Sequence, residues 1–122
     1  VCQEFEIKSD AIPRIAFDFA GGIGNTGAVC GAVVGAVMAI GLKLGRPDSM
    51  EDALRRLAVP QEFRRRFEAE MGTIDCRELT GVDLTTEKGI EQLMNSDISE
   101  KVCFRAVGAA YRLVVELLKE TT

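Results

Sequence analysis

From Ala28 to Leu42 the chain runs for fifteen residues with only apolar side chains and glycine, and Lys43 closes the run. A membrane span needs about 18 or more such residues, so this run reads as a helix buried in a core, around which the rest of the chain must pack. The stretch that contains it, Gly21 to Gly41, can be read in two ways. Gly22, Gly24 and Gly27 fit the phosphate-cradling pattern G-x-G-x-x-G, or the glycines are the setting for Cys30. A dinucleotide fingerprint needs a strand before the glycines, a helix after them and an acidic residue at the end of a second strand. Ile15 to Phe19 alternates as a strand could, but the candidate acids Asp48 and Glu51 fall in a turn and a helix start with no second strand near them. The nucleotide reading is therefore set aside.

Elsewhere helical signals dominate. Ser9 to Ala20 spaces Ile12, Ile15, Ala16 and Phe19 for a helix face, with Pro13 in its first turn. Thr26 to Leu44 reads as the central helix, ended by Gly45-Arg46-Pro47, and Ser49-Met50-Glu51-Asp52 opens the next with a capping-box pattern. Pro60 predicts a break between Met50–Ala58 and Gln61–Met71, and Gly72 stops the second of these. Short helices follow at Asp75 to Gly81 and Thr86 to Met94. The last helix, Ser99 to about Lys119, aligns Val102, Ala106, Ala109, Leu113 and Leu117 on one stripe. The expectation is an all-α fold, a compact bundle of five to seven helices around a buried Gly/Ala-rich central helix. At 122 residues the chain is expected to form a single domain, 1–122.

The charge balance narrows the function. A net charge of −4 gives no electrostatic reason to expect nucleic acid, and Arg64-Arg65-Arg66 sits among Glu62, Glu68 and Glu70 as a solvated helix face would. With no histidine in the chain there is no Ser-His or Cys-His pair for hydrolysis, and Tyr111, the sole tyrosine, reads as a helix-face residue. Asp18, between Phe17 and Phe19, reads as a cap for the glycine-rich turn. No segment has the pattern of an export signal, so a cytoplasmic location is expected. In a reducing compartment four cysteines argue for metal binding or redox chemistry before a disulfide framework.

Gly27, Gly31 and Gly35 recur every four residues, a stripe without side chains on one helix face that lets another group approach closely. Each helix-interior glycine costs roughly 1 kcal/mol relative to alanine, so the stripe should have a steric purpose, a packing seam between subunits or a cofactor contact. Cys30 lies beside it, near a helix start, where orphan N–H groups and the helix dipole favour a thiolate. Cys76 repeats the arrangement in Asp75-Cys76-Arg77-Glu78, and Cys103 lies early in the last helix near Lys101 and Arg105.

Cys30-Gly31-Ala32-Val33-Val34-Gly35, then Ile74-Asp75-Cys76-Arg77-Glu78-Leu79-Thr80-Gly81, then Cys103, together resemble the C_GCAxxG_C_C family. The resemblance extends over residues 10 to 118 and implies a redox-active protein. It carries Cys30, Cys76 and Cys103 over as redox thiols or metal ligands. Only 27 residues separate Cys2 from Cys30, fewer than the family pattern has there, so Cys2 is either the family's first cysteine or a residue that follows a first helix not included here.

Three functions stay open at this point. Cys30, Cys76, Cys103 and Cys2 could hold an iron-sulfur cluster or another metal for electron transfer, although no close C-x-x-C pair supplies a local chelate. Alternatively, Cys30 attacks a disulfide of a redox partner protein, with Cys76 or Cys103 as the resolving thiol. In the third, the chain is a small binding or assembly module, a homodimer for example, with structural cysteines.

Overall fold

A computed structural model describes residues 1–121 and has the expected all-α architecture. In chain order the helical elements are α1 (Ala11–Ala16), α2 (Ala20–Ile23, a single turn whose last three residues have left-handed φ), α3 (Gly31–Leu44), α4 (Met50–Arg56), α5 (Ala58–Met71), α6 (Cys76–Thr80), α7 (Glu87–Met94) and α8 (Phe104–Thr121). A 3₁₀ turn, Phe17–Phe19, joins α1 to α2, and a π-helical turn, Ser99–Cys103, leads into α8. None of the helices is long and apolar enough to cross a membrane.

The helix starts follow local chemistry. Ser49 accepts from the Asp52 N–H at 3.0 Å while the Asp52 carboxylate reaches back to the Asp48 N–H at 3.1 Å, a reciprocal cap close to the predicted one. Thr86 caps α7 by accepting from the Gly89 N–H at 3.0 Å. The predicted break at Pro60 falls instead at Leu57, and Pro60 is the third residue of α5. In a first turn the missing proline N–H has no helical partner to lose, so the ring is accommodated there. Arg65 and Arg66 pair with Glu62, and Arg64 pairs with Glu68, which makes the arginine triplet a solvated face.

The core lies where α8 packs against both α3 and α5. Phe63 and Phe67, one turn apart on α5, are fully enclosed, with ring centroids 6.0 Å apart. They meet Val114 and Leu118 of α8, and Val33, Ala36 and Ile40 of α3 complete the cluster. The amphipathic stripe of α8 is realised at Ala106, Ala109, Leu113 and Leu117. Arg66–Glu120 and Arg112–Glu70 pair across the rim of the α5–α8 contact.

Candidate functional site

The central helix begins five residues later than the spacing predicts. Gly21, Gly22, Ile23, Gly24 and Asn25 all have left-handed φ, from 60° to 71°. Three glycines and an asparagine adopt this conformation readily, whereas the β-branched Ile23 is strained by roughly 1–2 kcal/mol. The turn is tied by the Gly24 N–H to the Asp18 carbonyl at 2.9 Å, by the Ala28 N–H to the Gly22 carbonyl at 3.0 Å, and by the Thr26 hydroxyl, 2.7 Å from the Gly22 carbonyl. The cap from Asp18 is thus its backbone carbonyl. Gly27, at φ 75°, lies outside α3, so of the predicted three-glycine stripe only Gly31 and Gly35 share a helix.

Leaving this turn, the chain meets the segment before α6. The Cys30 N–H donates to the Ile74 carbonyl at 2.7 Å and the Cys76 N–H to the Ala28 carbonyl at 2.7 Å, on either side of an antiparallel bridge between Val29 and Asp75. In that register Cys30 stands opposite Ile74, so Cys76 is its diagonal neighbour on the same face. Diagonal neighbours in such a ladder are roughly 7–8 Å apart. A disulfide spans about 4.4–6.8 Å between Cα atoms, slightly less than this. All four cysteines are free thiols.

Glycines make the approach feasible. A Cβ on Gly22 would lie 2.6 Å from the Ala28 nitrogen and 2.8 Å from the Cys76 Cβ, closer than atoms can pack. One on Gly27 would lie 2.9 Å from the Cβ of Arg77. Gly22 was legible in the sequence only as part of a glycine-rich stretch. Its contact with Cys76 spans 54 residues of chain, a distance over which local pattern carries no signal.

Cys30, Cys76 and Cys103 line one cavity of about 340 Å³, walled also by Gly22, Leu84, Leu93 and Val102. Cys76 is 8% exposed, and Cys30 and Cys103 are partly exposed. Burial pushes the Cys76 thiol above the usual thiol range, and the nearby Cys30 and Cys103 thiols add to this. Burial likewise raises Cys103, with Cys30 adding. The expected helix-terminus stabilisation of thiolates is thus outweighed at these two positions. The helix behind Cys76 is a single short turn, and Cys103, at the end of the π-helical turn, lies inside a helical run that continues without a break into α8, past the first turn where free N–H groups are found.

Cys2 lines a different cavity, of about 710 Å³, between α1, α3 and α8. The donors for a cluster are therefore divided between two cavities. Among the described residues no three Cys, Asp or Glu groups stand together as a metal site would need. As arranged here, the thiols do not fit a preformed iron-sulfur or zinc centre.

A family model described as putative redox-active protein (C_GCAxxG_C_C) matches residues 1–117. The chain belongs to that family. The matched span takes in Cys2, Cys30, Cys76 and Cys103. No curated protein and no solved structure matches the chain.

Proposed function

We propose that this member of the C_GCAxxG_C_C family is a thiol–disulfide redox protein in which Cys30 and Cys76 cycle between dithiol and disulfide, with Cys103 as a third thiol at the same cavity. The observation that carries the reading is the crossed pair of 2.7 Å backbone hydrogen bonds that makes Cys30 and Cys76 diagonal neighbours on one face. Gly31 and Gly35 keep the adjoining helix face free of side chains. Cys30, the more exposed of the pair, is the entry thiol, and the enclosed Cys76 resolves.

The oxidant is a disulfide of a partner protein. The Cys30 thiolate attacks one of its sulfurs, the partner's S–S bond breaks, and a mixed disulfide forms as one partner thiolate leaves. The Cys76 thiolate then attacks the Cys30 sulfur, closes the intramolecular disulfide and releases the second partner thiolate. Two electrons pass to the partner, and the two protons lost by Cys30 and Cys76 end on its two thiols. Since burial holds Cys76 protonated, the second step speeds up as pH rises through the alkaline range.

Incubation of the reduced chain with oxidised glutathione, followed by alkylation and peptide mapping, tests the reading. The expected result is loss of two thiols and a Cys30–Cys76 linkage, with a trapped Cys30 mixed disulfide in Cys76→Ser. Four free thiols at every potential would instead support an assembly module with structural cysteines. Anaerobically purified protein with stoichiometric iron and a visible band bleached by dithionite would replace the disulfide reading with a metal centre.

A further inference from the structure

Cys103 lines the same cavity as Cys30 and Cys76 but has no step in the couple described above, and an uncommon backbone turn sets its position. The Phe104 N–H donates to the Ser99 carbonyl, five residues back rather than four, so the turn that ends in Cys103 holds one residue more than an α-helix would. Single π-helical turns of this kind are rare and recur at functional sites.

What the turn does follows from the faces on either side of it. Ile98, just before it, packs against the small cluster of Cys76, Val82 and Leu84, whereas Ala106 and Ala110, after it, belong to the main core. In an unbroken α-helix residues five apart lie about 140° round the axis, so Ile98 and Cys103 would face different ways. The wider turn brings Cys103 back toward the face of Ile98, and the turn itself packs against α6, whose first residue is Cys76. Cys76 is buried, while Cys30 and Cys103 are each partly exposed. Burial first, and then the charges of Cys30 and Cys103, raise the Cys76 thiol, so the enclosed sulfur is within electrostatic reach of both.

We infer that Cys103 is a second exchange partner of Cys76, which takes the disulfide over from Cys30 and presents it to an external dithiol reductant. The inference rests on the thiol–disulfide reading proposed above. With Cys30–Cys76 closed, the Cys103 thiolate attacks the Cys76 sulfur. A Cys76–Cys103 bond forms, the Cys30–Cys76 bond breaks, and Cys30 leaves as a thiolate. The proton lost by Cys103 ends on Cys30, and no electron enters or leaves the chain. Attack falls on Cys76 because it expels the partly exposed Cys30 thiolate, whereas attack on Cys30 would expel the enclosed Cys76 thiolate, whose charge burial disfavours. A thiolate of the reductant then attacks the Cys103 sulfur and Cys76 leaves. The second thiol of the reductant closes its own disulfide and releases Cys103. Two electrons enter the chain, and the two protons of the dithiol end on Cys76 and Cys103.

The test follows the position of the disulfide with time. Reduced chain is oxidised with oxidised glutathione, freed of the oxidant, and quenched with acid at intervals so that no linkage shuffles on unfolding, then alkylated and mapped. The expected course is Cys30–Cys76 first and Cys76–Cys103 later, with Cys30 becoming alkylatable while the number of thiols lost stays the same. Cys30→Ser isolates the second pair and should still close a Cys76–Cys103 linkage. Dithiothreitol, the probe for the reductant, should reduce the oxidised wild-type chain about tenfold faster than oxidised Cys103→Ser. A linkage that stays Cys30–Cys76 throughout, or equal dithiothreitol rates, overturns the inference and leaves the Cys30–Cys76 couple standing. A Cys30–Cys103 linkage with Cys76 free overturns the choice of Cys76 as the shared sulfur. Should Cys30→Ser prove unfolded, the wild-type time course decides alone. Four free thiols after the oxidant overturn both this inference and the disulfide reading.

Discussion

Between α5 and α8 the structure is held by what side chains fill: Phe63, Phe67, Val114 and Leu118 are wholly enclosed, and ion pairs from Arg66 and Arg112 span the rim. At the Cys30–Cys76 corner it is held by what side chains leave out. There the left-handed turn, Gly22 and Gly27 let two backbone segments meet closely enough for hydrogen bonds of 2.7–3.1 Å. The first region gains stability from apolar area removed from water and is tolerant of detail so long as volume is kept. The second has little apolar area to gain from and depends on atomic fit. A pair of cysteines can thus be held in register at a corner where solvent still reaches one of them.

The contrast can be broken at its strongest point by Phe67→Ala, which leaves a cavity at the centre of the core. Its expected cost is about 3–5 kcal/mol, read as a lower urea midpoint with the same thiol reactivity in the folded protein. Gly22→Ala should cost roughly 2–5 kcal/mol, from left-handed strain together with overpacking against Ala28 and Cys76. Unlike the core variant, it should also speed alkylation of Cys76 under native conditions, since the segment covering that thiol is displaced. Equal alkylation rates in the two variants would show that the corner and the core do not differ as argued.

Relief of strain sharpens the same comparison in the other direction. Ile23→Gly should stabilise the turn by up to about 1–2 kcal/mol, less what the unfolded chain gains in freedom, because Ile23 is half exposed and loses little packing. A midpoint lower than wild type would mean that its side chain is held by contacts that outweigh the strain. The smallest effect is the pH dependence. Burial raises Cys76 and Cys103 above the ordinary thiol value of 9.0, so their contribution to stability is present in full below that pH and is lost as pH rises through the folded-state values. Urea midpoints between pH 7 and 10 should fall less steeply in Cys76→Ala/Cys103→Ala than in wild type. Parallel curves would rule out the burial argument.

Much of this fold is legible from short-range pattern. The Ser49 cap, the Thr86 helix start, the arginine triplet as a solvated face and the α8 stripe all depend on residues within four positions of one another, where helix geometry is fixed by local chemistry. The late start of α3 is not legible in this way. Gly21 to Gly27 are compatible with a helix, a phosphate loop or a left-handed turn, and the contact with residues 74–77 selects among them.

The site divides along the same line. Its residue types, four cysteines without a histidine and glycines around Cys30, belong to the sequence, as does the family they mark. Composition and helix periodicity also determined the all-α class, since both act locally. Only the tertiary structure decided that Cys30, Cys76 and Cys103 share a cavity while Cys2 lines another, and that burial raises two of the thiols. Both outcomes depend on which distant segments exclude water from a sulfur atom, and that is fixed when glycine-lined backbones pack against each other across the chain.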